Sequence, residues 1–428
     1  MVKVREDYSI SGDGEVDIDR CVHHIAEQTH LEDPDQLRRA CEKAAQIAVQ
    51  AFREDRLWAP GASSFRTGLE MAQVLAELHL DQASLVAAVL YRAVREERVP
   101  LEEVRKEFGD EVAGLINGVQ QMAAISSIHH PLKGNVLGQS EGQLDNVRKM
   151  LVTMIDDVRV ALIKLAERTC AIRAVKDAPE EKRMRVAREV FDIYAPLAHR
   201  LGIGHIKWEL EDLSFRYLHG SAYKKIAKLL DEKRLDRESY IRRVIDTLQT
   251  ELKASGIKAE LSGRAKHIYS IWRKMRRKGI DFSQVYDVRA VRILVPEVRD
   301  CYGALGIVHT LWRHIPNEFD DYIANPKENG YQSLHTAVIG PEGKVMEVQI
   351  RTHAMHEEAE LGVCAHWLYK GTDTRNKSTG YDAKINWLRQ VLEWQEELGD
   401  ISGLADHLKS DVASDRVYVF TPEGHVVD

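Results

Sequence analysis

Two acidic residues and one run of basic ones hold most of the chemistry this sequence can offer. Glu347 lies in Val345–Arg351, where Met346, Val348 and Ile350 share one face of a strand and Glu347, Gln349 and Arg351 share the other. Asp287 opens a second strand-like run, YDVRAVRILV. Two carboxylates on strands of one small domain suit magnesium, a hard cation that takes one or two carboxylates together with phosphate oxygens and water. Taken singly, each is equally a surface acid or a turn residue. What favours the metal reading is Gly263–Lys278, GRAKHIYSIWRKMRRK, with seven basic residues and no acidic one. On a helix, Lys266, Ser270, Arg273, Lys274 and Arg277 fall on one face, and Ile268, Ile271, Trp272 and Met275 fall opposite. The apolar side is expected to dock on a sheet, leaving the basic side in a cleft with Arg264 and Lys266 at the helix N-terminus. Helix N-termini and Lys or Arg side chains both stabilise phosphate oxygens. The segment therefore reads as a triphosphate cradle, a solvated basic face or an RNA-binding helix.

A polar loop, DYIANPKENGYQ, precedes the hairpin that carries Glu347. Tyr331, following Gly330, can present its ring to a base, while Lys327 and Asn329 can reach phosphate, ribose or base edges. Their plainer readings are a loop lysine, a turn-forming asparagine and a packed tyrosine. His335 alternates onto the face of Tyr331 and Ser333, either lining the cleft or serving as a structural histidine. Basic helix, acid pair and loop together suggest in-line attack on a phosphorus of a nucleoside triphosphate.

Composition sets the frame. A length of 428 residues suggests about three domains. The apolar share of 44% and charged share of 30% are those of a soluble globular chain with a sizeable core. A net charge of −7 argues against wholesale nucleic-acid binding, though not against a local basic patch. The 5 cysteines are scattered, odd in number and never paired as CxxC, which fits reduced thiols in the cytoplasm. The N-terminus lacks an apolar signal region and no apolar run approaches transmembrane length, so a cytosolic protein without a membrane partner is expected.

The positioning elements follow from periodicity. Residues 1–30 are polar and mixed. From Asp35 to about Leu201 apolar spacing predicts helices, interrupted by a loop over 124–143, with a helix at 145–174. Residues 179–255 read as charged amphipathic helices broken at Gly202, Gly204 and Gly220. After Gly256 the pattern mixes strands (257–261, 287–295) with helices (267–278, 300–314). The hairpin of 332–339 and 345–351 follows, turning at Gly340–Gly343, and then helices at 352–369 and 384–398. Residues 416–427 read as a further hairpin. The fold class is multidomain, an all-α part followed by an α+β part.

RAKHIYSIWRKM, YDVRAVRILV, NPKENGYQSLHT, MEVQIRT and MHEEAELGVCAHWLYK, in that order, resemble the RelA/SpoT alarmone synthetases along nearly the whole chain. The resemblance implies an HD-like helical domain over 1–200, a helical linker over 201–255 and a synthetase domain over 256–400. The synthetase would have a polymerase-β-like nucleotidyltransferase fold, and 401–428 would start a truncated TGS domain. It implies transfer of pyrophosphate from ATP to the ribose 3′-OH of GDP or GTP, giving ppGpp or pppGpp and AMP. By matching position, Arg264, Lys266, Ser270 and Lys274 bind ATP, as does Arg292, although strand parity sets Arg292 opposite Asp287. Asp287 and Glu347 hold Mg2+, and Glu347, helped by Gln349, activates the 3′-OH. Lys327, Asn329, Tyr331 and His335 take the guanine nucleotide, Tyr331 by stacking.

In bifunctional members the HD domain removes the pyrophosphate with manganese, through His, His-Asp and a later Asp. Here the first position falls at Thr67, the His-Asp-x-x-Glu-Asp segment reads Tyr91-Arg92-Ala93-Val94-Arg95-Glu96, and the last falls near Glu167. Thr, Tyr and Arg cannot hold a divalent metal, and His129 and His130 lack ligand spacing with an acid pair, so a pseudo-hydrolase domain is expected. Glu318-Phe319-Asp320-Asp321 replaces the Arg-x-Lys-Asp of bifunctional members and resembles synthetase-only relatives. Ribosome and uncharged tRNA are implied as partners only of a missing C-terminal region.

Overall fold

The computed structural model describes residues 16–29, 31–52, 64–127, 157–232, 234–264, 266–282, 285, 288–327, 329–365, 419–420 and 426–427. The chain divides into two compact units, residues 1–120 with 158–377, and residues 121–157 with 378–428. The five-stranded sheet and the site described below belong to the first. In the second, β6 (Val419–Phe420) pairs antiparallel with β7 (Val426–Val427), the hairpin anticipated there.

Helices begin earlier than expected. Asp17 accepts from the Arg20 N–H at 3.0 Å and caps α1 (Ile18–Gln28) within the polar, mixed stretch of residues 1–30. Then come α2 (Pro34–Phe52), α3 (Ser64–Glu77), α4 (Gln82–Arg95), α5 (Leu101–Phe108) and α6 (Asp110–Ser127). The start of the loop expected over 124–143 is thus the end of α6, and the rest lies outside the described residues, as do His129 and His130. Where a helix was expected over 145–174, the described part is α7 (Val158–Ala174). The apolar spacing of α3 and α4 is the packing surface itself: Leu69, Met71, Leu75, Leu85, Ala88 and Val89 are all buried. At Gly68 the two helices approach so closely that a Cβ would sit 2.5 Å from the Val89 carbonyl oxygen.

α8 (Glu180–Glu189) runs through one wide π-turn, Val190–Tyr194, into α9 (Ala195–Arg200). Pro196 has no N–H to give and its ring crowds the carbonyl four residues back, which the wider turn accommodates. A short turn with Gly202 at φ +73° leads to α10 (Gly204–Leu218), α11 (Gly220–Glu232) and α12 (Arg234–Ala254).

The sheet follows: β1 (Glu260–Gly263), α13 (Ile268–Lys278), β2 (Ala290–Val295), α14 (Val298–Leu311), β3 (Arg313–Asp321), β4 (Leu334–Ile339), β5 (Val345–Thr352) and α15 (His353–Leu361). Strand order is β1-β2-β5-β4-β3, with β2 and β5 parallel and the other neighbours antiparallel. One face is the core. Val291 and Ile293 of β2 and Met346, Val348 and Ile350 of β5 pack with Tyr240, Val244 and Leu248 of α12 and with Cys301, Ala304 and Val308 of α14. The opposite face keeps Glu347, Gln349 and Arg351, as alternation predicts.

Four expectations change. The apolar side of α13 docks on helices rather than on the sheet: Ile268 and Ile271 pack with Phe215 of α10 and Ile226 of α11. The sheet's apolar face is already covered by α12 and α14. β2 starts at Ala290, so Asp287 does not open it and itself lies outside the described residues. The helix placed at 300–314 ends at Leu311, and its last residues belong to β3, a strand without alternation because it is the polar outer edge of the sheet. β3 carries an irregularity between His314 and Phe319, with Asn317 at φ +63°. The helix expected over 352–369 is α15, closed by Gly362 at φ +56°; that expected over 384–398 lies outside the described residues.

Candidate active site

β5 brings Glu347 to the centre of the polar face. Its Oε1 accepts from Gln349 Nε2 at 2.9 Å and faces His335 Nδ1 at 3.3 Å. Its Oε2 is buried without a hydrogen-bond partner, the Arg264 guanidinium standing off at 3.8 Å. Burial pushes the carboxyl up, yet His335, Arg264 and Lys266 together hold it far below the ordinary range. The group is an anion at neutral pH with a lone pair to spare.

His335 leads from this carboxylate to the loop. Its Nε2 lies 2.9 Å from the Tyr331 hydroxyl, and both rings meet Tyr322 edge-on. Lys327 Nζ sits 4.4 Å from the centre of the Tyr322 ring and 5.9 Å from that of Tyr331. The loop closes on itself: Gly330 N–H donates to Lys327 O at 2.8 Å and Lys327 N–H to Tyr331 O at 3.2 Å. Gly330 sits at φ +75°, a conformation that costs glycine nothing. Asn329 turns its amide away from the cleft, its Nδ2 donating to His199 O at 3.3 Å.

On the other side of Glu347, Arg264 N–H donates to Ala290 O at 2.9 Å, and its guanidinium lies 5.9 Å from the Trp208 ring. Trp208 in turn stacks on His267, 5.0 Å between centroids. Ser270 and Lys274 follow, half-buried, one turn apart on α13. Arg292 pairs across the ladder with Gln349 and therefore shares the face of Glu347, while Asp287, against which its parity was counted, lies outside the described residues. Arg351, only 1% exposed, donates to His356 Nδ1 at 2.7 Å and pairs with Glu360 at 3.4 Å. Glu360 also reaches Arg292 at 4.0 Å. Burial, then the neighbouring guanidinium, lowers the pKa of Arg292, and burial does the same for Arg351.

The N-terminus of α13 is not open to phosphate as expected. The buried Asp212 carboxylate of α10 accepts from Tyr269 N–H at 2.8 Å and Ile268 N–H at 3.3 Å. Burial outweighs these donors and pushes the carboxyl up to about 6. The acidic run before the loop is also engaged. Glu318 pairs with Lys278 at 2.7 Å, and Asp321 accepts from the Tyr302 hydroxyl at 3.0 Å and from two loop N–H groups, Ile323 and Ala324.

Arg264 thus stands on one side of Glu347 and the His335–Tyr331 pair on the other. Comparison with known proteins decides the family. Residues 263–374 match the region found in RelA / SpoT proteins, and residues 44–204 match the HD domain family. The GTP pyrophosphokinase of Photobacterium angustum is 53% identical over 362 residues, 84% of this chain and 48% of that protein. That of Escherichia coli K12 is 50% identical over 392 residues, 91% of this chain and 52% of that protein. This chain belongs to the RelA/SpoT family. It spans about half the length of the curated relatives it matches. Among solved structures, small alarmone synthetase 1 of Bacillus subtilis bound to its product pppGpp aligns over 41% of this chain and 98% of its own. The identity is 26% and the TM-score 0.27, too low to equate positions.

In this RelA/SpoT member the HD-like helices hold an ion cluster at the expected ligand positions. Glu167 of α7 accepts from Arg95 at 2.6 Å, Lys164 at 2.6 Å and Arg168 at 2.7 Å. Tyr91 is buried beside it, and Arg92 pairs with Glu96 at 2.7 Å. Burial opposes ionisation, but the three cations hold the Glu167 carboxyl well below the usual range. These residues do not fit a divalent metal, because the charge it would bring is already supplied by arginine and lysine.

Proposed function

We propose that this chain transfers the β,γ-pyrophosphate of ATP to the 3′-OH of GDP or GTP, making AMP and (p)ppGpp. The observation that carries the proposal is Glu347: a buried carboxylate with one unpartnered oxygen, between Arg264 on one side and the His335–Tyr331 pair on the other. The curated relatives, named GTP pyrophosphokinases, support the same chemistry, and the mixed sheet suits a nucleotidyltransferase of the polymerase-β kind. In this reading 256–400 is the synthetase, 1–200 the HD-like domain, 201–255 the segment joining them, and 401–428 the start of a further β-rich domain.

Arg264, Lys266, Ser270, Lys274 and Arg292 would hold the triphosphate and orient its β-phosphorus. Lys327, Tyr331 and His335 would set the guanine nucleotide against it. Alignment of two bound reactants and fixed positive charge around the phosphates supply most of what such a transfer needs. Glu347 takes the proton of the 3′-OH as the oxygen attacks, and Gln349 fixes its orientation. The free Glu347 Oε2 also suits magnesium, with Asp287 as its expected second carboxylate. When bound, that ion neutralises charge on the phosphate oxygens. The Glu167 cluster supports a helical domain without hydrolase activity. A cytoplasmic enzyme is proposed, with ribosome and uncharged tRNA as partners of a region C-terminal to the synthetase.

The test is to incubate the protein with ATP, GDP or GTP and magnesium and to chromatograph the products. AMP and a guanosine 3′-pyrophosphate are expected in equal amounts. ATP consumption without the second product would overturn the proposal, as would no reaction at all.

A further inference from the structure

We infer that His199, at the end of α9 in the HD-like part, is a positioning residue for the acceptor nucleotide, anchoring the Lys327–Tyr331 loop through the Asn329 amide. This rests on the acceptor reading proposed above and assigns Asn329 a different task within it. Both ends of that amide are already used by protein. Oδ1 accepts from the Tyr331 N–H at 3.3 Å, while Nδ2 lies 3.3 Å from the His199 carbonyl oxygen and 3.4 Å from its Nδ1. One side chain thus ties the tyrosine's own backbone to a helix of the other domain.

The anchor is itself fixed. Lys207 Nζ stands 3.3 Å from His199 Nδ1. Two donors converge on that nitrogen, which makes it an acceptor and assigns the ring proton to Nε2. Burial, followed by Lys207, Arg273, Lys327 and Arg200, pushes the imidazole pKa down to about 3, so the ring is neutral and the acceptor role holds across physiological pH. The turn that follows is pressed from two sides. A Cβ on Gly202 would lie 3.0 Å from Gly362 Cα and 3.7 Å from Asn329 O, and Val363 N–H donates to Leu201 O at 3.0 Å. His205 Nδ1 meets Glu360 O at 3.0 Å. Residues 199–205 therefore touch both the loop that would take the acceptor and the end of α15, whose Glu360 holds Arg292 and Arg351. A shift of this turn moves the acceptor loop, which gives the helical part a direct mechanical hold on the synthetase.

The experiment is calorimetric titration of the intact chain with GDP and, separately, with a non-hydrolysable ATP analogue. The variants are His199→Ala, His199→Gln, Asn329→Ala and the double alanine variant. Asn329→Ala, which loses both contacts to His199, should weaken GDP about 10-fold, His199→Ala, which keeps the backbone carbonyl, by less, and both should leave the ATP analogue within about 2-fold. His199→Gln, whose carbonyl can still accept, should recover most of the loss. The double variant should bind GDP no more weakly than Asn329→Ala alone, because removing the amide already removes its contact to the His199 ring. Losses that multiply would make Asn329 an independent nucleotide contact and overturn the inference. Equal weakening of both nucleotides, or unchanged GDP affinity, would overturn it too. Should His199→Ala fail to fold, His199→Gln and Asn329→Ala decide by the same comparison between nucleotides. If the unaltered chain makes no AMP and binds neither nucleotide, the functional reading itself falls. If it does both and the variants fail to discriminate, only the role of His199 falls.

Discussion

Glu167 and Glu347 are both buried carboxylates held below their ordinary pKa by neighbouring cations, yet they are opposites. Glu167, 2% exposed, spends both oxygens on Arg95, Lys164 and Arg168 at 2.6–2.7 Å. Glu347, 15% exposed, commits Oε1 to Gln349 and His335 and leaves Oε2 without a partner. A depressed carboxyl therefore does not mark a site, since structural ion networks depress carboxyls as well. What separates them is unspent capacity: one carboxylate is saturated by its own protein, and the other keeps room for a metal or a proton. Asp212 completes the comparison. It is equally buried but meets backbone N–H groups instead of cations, and burial pushes its carboxyl up.

Neutralising each glutamate tests that contrast. Glu347→Gln keeps the shape and the Gln349 contact but removes the base and the anion, so AMP formation should fall by about 10²–10⁴. Its urea midpoint should fall less than that of the Glu167 variant, because Glu347 faces only His335 at 3.3 Å and Arg264 at 3.8 Å rather than three cations at 2.6–2.7 Å. A large loss of stability would erase the distinction from Glu167. Glu167→Gln should do the reverse. It strands three cations beside a neutral amide, which costs roughly 3–5 kcal/mol in urea unfolding, while the rate per folded molecule is unchanged. The sign of its pH dependence follows. The Glu167 carboxyl lies below its unfolded value, so its stabilisation is present above about pH 4.3 and lost as pH falls through the folded value. The gap between parent and variant should therefore close in acid. A gap of constant size would show that packing, not charge, holds the cluster.

The same contrast shows how much was legible in the sequence. Period-2 alternation placed Glu347, Gln349 and Arg351 on one face of β5 because that strand has a core on one side only. β3 could not be read that way: it is the edge of the sheet, and its polar residues satisfy no alternation. The helical character of α13 was plain from its spacing, but the surface it docks on was not, because Phe215 and Ile226 are supplied by α10 and α11. Asp212 at the N-terminus of α13, Trp208 beside Arg264 and His199 beside Asn329 are all brought by the helical part, so no local pattern announces them. Arg351 shares the face of Glu347 and Gln349, as parity predicts. Its near-complete burial depends on His356 and Glu360 of α15 folding back over it.

The smallest expected effect concerns Asp212, and it carries the opposite sign. Its folded carboxyl titrates at about 6, above the ~3.9 of an unfolded aspartate. Between those values the folded chain holds the proton more tightly than the unfolded chain does. Stability contributed by this group therefore grows as pH falls through about 6 and is lost as pH rises through it. Asparagine caps helices about as well as aspartate, so Asp212→Asn should cost no more than one hydrogen bond, roughly 1 kcal/mol. Relative to the parent, the variant should then gain as pH rises from about 5 to about 7.5, because it escapes burying a charge. Urea unfolding of both proteins at the two pH values measures this directly. If the variant instead loses ground as pH rises, the ionised carboxylate is stabilised by α13's N-terminus more than burial penalises it. Asp212 would then belong with Glu167, as a saturated anion, rather than stand apart from both glutamates.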